Sequence, residues 1–142
     1  MLYGQSTHSI DNKNRIMIPT KFRDDLGKSF MITKGIDGNL SAYPMAEWEA
    51  FMAQLTPQKN APPEVIRYKR FFMANAEPVE MDKQGRILIP SHLASFAQLT
   101  DSVVSVGMKD YLEIWSKERW DAYENGSEDM YELAQKVAEY GL

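Results

Sequence analysis

Two stretches of the chain carry the same chemistry: SIDNKNRIMIP at Ser9–Pro19 and EMDKQGRILIP at Glu80–Pro90. Each sets an Asp four residues before an Arg, with Lys, Asn or Gln between them. An arginine guanidinium pairs bidentately with guanine O6 and N7, and Asn or Gln with adenine. Lysine meets phosphate. Arg15 and Arg86 are therefore the candidate base readers, Lys13 and Lys83 candidate phosphate contacts, and Asn12, Asn14 and Gln84 the remaining polar groups of the two tips. The plain alternative is a polar turn whose exposed Arg only keeps the chain soluble. Duplication copies structural turns as readily as functional ones.

Catalytic chemistry has thinner support. The chain has no cysteine, hence no disulfide framework and no thiolate metal site. His8 and His92, the only histidines, are not at a metal-ligand spacing and read as surface or turn residues. No nucleophile elbow, phosphate loop or dinucleotide glycine pattern appears. Carboxylates are plentiful, but a carboxylate-dependent enzyme requires buried paired acids, and turn geometry accounts for Asp11 and Asp82. Neither a metal nor a cofactor is expected.

The elements that must position the two arginines follow from the motif itself. Asp suits the first position of a type I turn because its carboxylate accepts backbone N–H groups within the turn. Gly85 suits the left-handed residue that follows, closing a hairpin through a bulge. Asn14 replaces that glycine in the first copy, and Asn tolerates the left-handed region best after Gly. Arg15 and Arg86 then open the next strand, launched from a stiff corner. A short helix follows each strand, over Thr20–Leu26 and Ser91–Ala97, with Thr20 and Ser91 as expected N-caps and Gly27 just past the first helix. Next comes a hairpin, Phe30–Thr33 with Leu40–Tyr43 in the first copy and Val103–Val106 with Tyr111–Trp115 in the second. A closing helix carries Trp48 or Trp120, and Ser116 is placed to cap the second.

The similarity extends well beyond the motif. A shift of about 71 aligns Asp11 with Asp82, Arg15 with Arg86 and Pro19 with Pro90; one more residue aligns Gly35 with Gly107 and Trp48 with Trp120. Between the copies, Pro57, Pro62 and Pro63 mark a loop, and Glu64–Asn75 reads as a helix with Val65, Tyr68 and Phe72 on one face and Arg67 and Arg70 on another. A last helix, capped by Ser127, runs to Tyr140 with the apolar stripe Met130, Leu133, Ala134 and Val137. The matched positions of Trp48, Trp115, Trp120 and Tyr43 predict core packing rather than base stacking. The stretch RYKRFF at Arg67–Phe72 reads as a contact between subunits in preference to a phosphate-facing helix.

Net charge is −4 over 142 residues, which alone argues against nucleic acid. Its distribution argues otherwise. Residues 1–35 hold six Lys and Arg against three acids, residues 65–92 five against three, and residues 110–142 three against nine. An acidic tail on a locally basic body still presents a positive face. No stretch approaches the roughly eighteen apolar residues of a membrane span, and the N-terminus has no signal-peptide pattern. The expected location is the cytoplasm.

The segments MLYG, SIDNKNRIMIPTKFRDDL, LSAYPMAEWEAF, RFFMANAEPVEMDKQGRILIP and LEIW together resemble the MraZ family of bacterial regulators. The resemblance covers Met1 to about Tyr123, and its specific part is two DxxxR motifs about seventy residues apart, each followed by I-x-I-P. It implies an α+β fold of two tandem SpoVT-AbrB-like, swapped-hairpin β-barrel units with short helices, duplicated about a pseudo-two-fold in one chain. The units would span 5–51 and 76–123, with 52–75 as connecting loop and helix and 124–142 as a C-terminal helix. It further implies a ring-shaped homo-oligomer that associates with the nucleoid. This ring would bind repeated boxes in double-stranded promoter DNA and regulate the division and cell-wall gene cluster. No membrane or small-molecule substrate is implied. The family's contact motif carries over to Asn12, Lys13, Asn14 and Arg15 and to Lys83, Gln84, Gly85 and Arg86, with Asp11 and Asp82 holding the turns. The readings set beside it are an oligomeric assembly protein with no DNA site and, second, a carboxylate-dependent enzyme.

Overall fold

The computed structural model describes residues 1–56 and 59–142. Pro57 of the expected inter-repeat loop lies outside the described residues. The chain is mixed α+β. The first copy gives β1 (Gln5–Ser9), β2 (Arg15–Met17), α1 (Thr20–Leu26), β3 (Ser29–Lys34), β4 (Leu40–Pro44) and α2 (Met45–Gln54). After α3 (Pro63–Met73) the second copy repeats the series as β5 (Glu77–Glu80), β6 (Arg86–Leu88), α4 (Ser91–Phe96), β7 (Ser102–Gly107), β8 (Leu112–Ser116) and α5 (Lys117–Gly126). A final helix α6 (Met130–Val137) runs into a short 3₁₀ turn, Ala138–Tyr140.

The two copies are interleaved. The first strand of each pairs with the third of the other: β1 with β7, and β5 with β3, both antiparallel. The fourth strands β4 and β8 pair at the centre of the resulting six-stranded sheet, ordered β1-β7-β8-β4-β3-β5. The second strands β2 and β6 pair with each other as a separate two-stranded ribbon. Neither copy therefore closes its own sheet, which is how a sequence duplicated in halves too small for separate cores shares one. That core joins Ile16, Ile18, Phe22, Ile87, Ile89 and Leu93 to Phe30, Ile32, Leu112 and Ile114 of the sheet. Fully burying each such side chain contributes about 1.5–3 kcal/mol.

The corners differ from the expected hairpins in one respect. Past Ile10, which bridges Ile16, β1 departs to pair with β7 instead of running back along β2. In the second copy β5 departs likewise to β3. Helix capping also differs. Pro19 and Pro90 occupy the N-cap positions of α1 and α4 without a side-chain cap, so Thr20 and Ser91 are first helical residues and not caps. The fixed proline φ, −54° at both sites, already sets the chain for the helix. Ser116 does cap α5, accepting from the Arg119 N–H at 3.2 Å. Ser127 does not cap the last helix: it ends α5, its hydroxyl donating to the Tyr123 carbonyl, and Asp129 precedes α6. Gly27 ends α1 at φ 82°, its N–H donating to the Arg23 carbonyl at 3.0 Å.

The aromatic residues form two equivalent clusters. Tyr43 and Trp48 are buried with Phe72 of α3, against Phe51 and Phe71. Trp115 is buried, and its ring meets those of half-buried Trp120 and of Tyr123 at 5.3 Å each. Core packing is thus what Tyr43, Trp48 and Trp115 do, while Trp120 covers Trp115 from a half-buried position. Thr33, fully buried in β3, donates to the Phe72 carbonyl at 2.7 Å and ties α3 to the sheet. Arg67 and Arg70 stand exposed on the helix's other side.

Candidate nucleic-acid interface

Each corner is built by one carboxylate. Asp11 Oδ1 accepts the backbone N–H groups of Lys13 at 2.9 Å and Arg15 at 2.8 Å. Its Oδ2 accepts the side-chain Nε–H of Arg15 at 2.9 Å. Asp82 repeats this with the N–H groups of Gln84 and Arg86, both at 2.9 Å, and with Arg86 Nε, also at 2.9 Å. The backbone closes the same ring twice. Asp11 N–H donates to the Arg15 carbonyl and Asn14 N–H to the Asp11 carbonyl, at 3.0 and 3.1 Å. Asp82 and Gly85 make the corresponding bonds at 2.9 and 3.0 Å. The Arg15 backbone N–H first of all, then those of Lys13 and the guanidinium, hold the Asp11 carboxyl below its usual pKa. For Asp82 the Arg86 backbone N–H leads, ahead of the Arg86 side chain and the Gln84 N–H. Both acids are therefore fixed acceptors, ill suited to donating a proton near neutral pH.

The ribbon then brings the two arginines together. Ile16 faces Ile87 at its centre, Arg15 faces Leu88, and Met17 faces Arg86. Side chains alternate across a strand, and Ile16 and Ile87 are buried. Arg15 and Arg86 consequently stand together on the outward face, diagonal to one another, with Cα atoms about 7–8 Å apart. Their side chains are 35% and 34% exposed. Nε is committed to the Asp, and the Nη groups of each guanidinium make no hydrogen bond among the described residues. Two further bonds lengthen the ribbon: Ile18 N–H to the Gly85 carbonyl and Ile89 N–H to the Asn14 carbonyl, both 2.8 Å. Because the strands are antiparallel, the tip with Asn12 and Lys13 lies at one end and the tip with Lys83 and Gln84 at the other. All four of these side chains are exposed.

The one departure between the copies has a steric counterpart. Asn14 and Gly85 both adopt the left-handed conformation, at φ 61° and 80°. A Cβ on Gly85 would sit 2.3 Å from Cζ of Arg23, whose Nε donates to the Ile18 carbonyl at 2.8 Å. The residue equivalent to Arg23 in the second copy is Ala94, and Ala94 lines the same shallow cavity as Asn14. The tip with a side chain faces an alanine, and the tip without one is covered by an arginine. Sequence reasoning missed this pairing and the exposed Met17 and Leu88. Aligning the repeats one turn further, over α1 and α4, exposes the Asn14/Ala94 and Gly85/Arg23 exchange.

The histidines lie elsewhere. His8 is half-buried in β1, not on the surface or in a turn, with Nε2 2.7 Å from the Ser105 hydroxyl; burial lowers its pKa. His92 on α4 faces Glu77 at 3.3 Å. Among the described residues no group of three or more His, Asp or Glu is arranged to hold a metal ion. No described helix is long and apolar enough to cross a membrane.

A family model described as "MraZ protein, putative antitoxin-like" matches residues 1–66 and 72–138. Proteins named "Transcriptional regulator MraZ" align along essentially their whole length. The one from Lachnoclostridium phytofermentans is 47% identical over 144 residues, covering 100% of this chain and 99% of its own. Those from Acetivibrio thermocellus and Clostridium acetobutylicum are 42% and 41% identical, each covering 100% of both chains.

Proposed function

The chain belongs to the MraZ family, and from that premise we propose that it is a transcriptional regulator that binds double-stranded DNA through the β2–β6 ribbon. One observation carries the proposal: two guanidinium groups, each clamped by its own Asp, stand diagonally on the same outward face of a two-stranded ribbon. The major groove of B-DNA admits such a ribbon, and arginine reading guanine there is the commonest specific contact. In this reading Arg15 and Arg86 read bases, Lys13 and Lys83 meet phosphates, and Asn12, Asn14, Gln84 and the Gly85 backbone complete the two tips. The Asp clamp matters because an ordered guanidinium loses less entropy on docking.

The finer proposals follow the family. Residues 5–51 and 76–123 are its two SpoVT-AbrB units, joined by 52–75 and followed by the C-terminal helix of 124–142. Copies of the chain assemble into a ring in the cytoplasm, at the nucleoid. The ring repeats the ribbon at regular intervals and so binds repeated promoter boxes of the division and cell-wall cluster with an avidity that no single box supplies. No catalysis is part of this reading.

The test is a titration of the protein with duplex from its own upstream region and with scrambled duplex, over a salt series. The proposal predicts preference for the native duplex and a steep negative salt slope. Arg15→Ala and Arg86→Ala each weaken the specific complex by about 1–3 kcal/mol at unchanged elution volume. Equal binding of both duplexes, or parent-like affinity of both variants, refutes it.

A further inference from the structure

The outward face of the ribbon holds two more side chains, and they are apolar. Met17 is 48% and Leu88 60% exposed, while Ile16, Ile18, Ile87 and Ile89 beside them are all but inaccessible. The two positions are equivalent in the repeat. Register sets each directly across from an arginine: Met17 opposite Arg86, Leu88 opposite Arg15. The face thus presents two cations on one diagonal and two apolar groups on the other, between polar tips.

A single exposed apolar residue on a surface needs no explanation. Two of them, interdigitated with the arginines on a face three residues long, bear directly on what that face touches. Phosphates and most base edges in the major groove are polar; the apolar group there is the C5-methyl of thymine. We propose that Met17 and Leu88 contact thymine methyl groups in the DNA box, making them specificity residues alongside Arg15 and Arg86. The inference rests on the DNA-binding reading above and extends it to the base composition of the box. Cross-strand Cβ atoms lie about 4.5–5.5 Å apart, and successive bases rise about 3.4 Å. Each methyl therefore lies within one or two steps of the guanine held by the facing arginine. The pairing Arg86 with Met17 and Arg15 with Leu88 places one guanine–thymine neighbourhood towards each end of the ribbon.

The full-length protein is titrated with duplex from its own upstream region in which thymines are replaced one at a time by deoxyuridine, which removes only the methyl. The parent is expected to lose about fourfold in affinity at a thymine within two steps of a guanine, the value of one buried methyl-sized group. Met17→Ala and Leu88→Ala each lose a similar factor on the unmodified duplex, and each becomes insensitive to deoxyuridine at one of the sensitive positions. Met17→Leu retains the sensitivity. The inference is overturned if the parent prefers its native duplex yet no deoxyuridine weakens it. It is overturned equally if the alanine variants keep the parent's sensitivity, or if they alter the elution volume, which assigns this face to a contact between copies. A parent with no preference for native duplex refutes the DNA-binding reading itself, and this inference with it.

Discussion

Gly85→Ala tests how the second tip is built. The glycine sits at φ 80°, where an L side chain costs about 1–2 kcal/mol. The new Cβ also meets Cζ, Nε and Nη2 of Arg23 at 2.3–2.7 Å. Arg23 can swing away only by giving up its 2.8 Å bond to the Ile18 carbonyl, and a hydrogen bond from a charged donor is worth about 1.5–3 kcal/mol. Together these predict a loss of about 2.5–5 kcal/mol for Gly85→Ala. In an Arg23→Ala background only the backbone cost remains, about 1–2 kcal/mol, so the two positions couple by about 1.5–3 kcal/mol. Urea unfolding of the parent, both single variants and the double variant, at one protomer concentration, gives the cycle. If Gly85→Ala costs the same with and without Arg23, the account of the tip is wrong.

Asp82→Asn removes the charged acceptor of Arg86 Nε and is expected to lower DNA affinity about two- to tenfold through a less ordered guanidinium, less than Arg86→Ala does; fluorescence anisotropy of labelled duplex decides the order. Thr33→Val strips the Phe72 carbonyl of its buried donor and should cost about 1–3 kcal/mol by urea unfolding. His8 has its folded pKa lowered by burial, so the unfolded chain binds the extra proton. Stability is then full above the unfolded pKa of about 6.5 and declines as pH falls from there through the folded value. Thermal midpoints measured from pH 7.5 to 5.5 should fall less in His8→Gln than in the parent.

The corners were legible in the sequence because their physics is local. Asp followed two and four residues on by free N–H groups, with Asn14 or Gly85 at the left-handed position, dictates the turn without reference to anything distant. Helices α1, α3 and α4 and the β3–β4 and β7–β8 hairpins follow from short-range periodicity and lie within a residue or two of their expected bounds, whereas the last helix starts at Met130 and gives way to a 3₁₀ turn after Val137. The residue pattern alone did not show which strand pairs with which. β1 alternates equally well beside β2 or β7, and only the shared core selects β7. The second carboxylate oxygen bound to each Arg Nε was likewise hidden, since Asp in a turn needs no such partner. Thr20 and Ser91 failed as caps because a preceding proline already fixes the entry to each helix. Met17 and Leu88 read as ordinary strand residues until the register put them beside the arginines.

Whether Arg15 and Arg86 meet guanine edges in the major groove is decided by replacing guanines of the native upstream duplex one at a time with 7-deazaguanine, which deletes the N7 acceptor. Loss of parent affinity at particular guanines is predicted, with Arg15→Ala indifferent at one subset and Arg86→Ala at the other. Parent affinity unchanged at every guanine would contradict it.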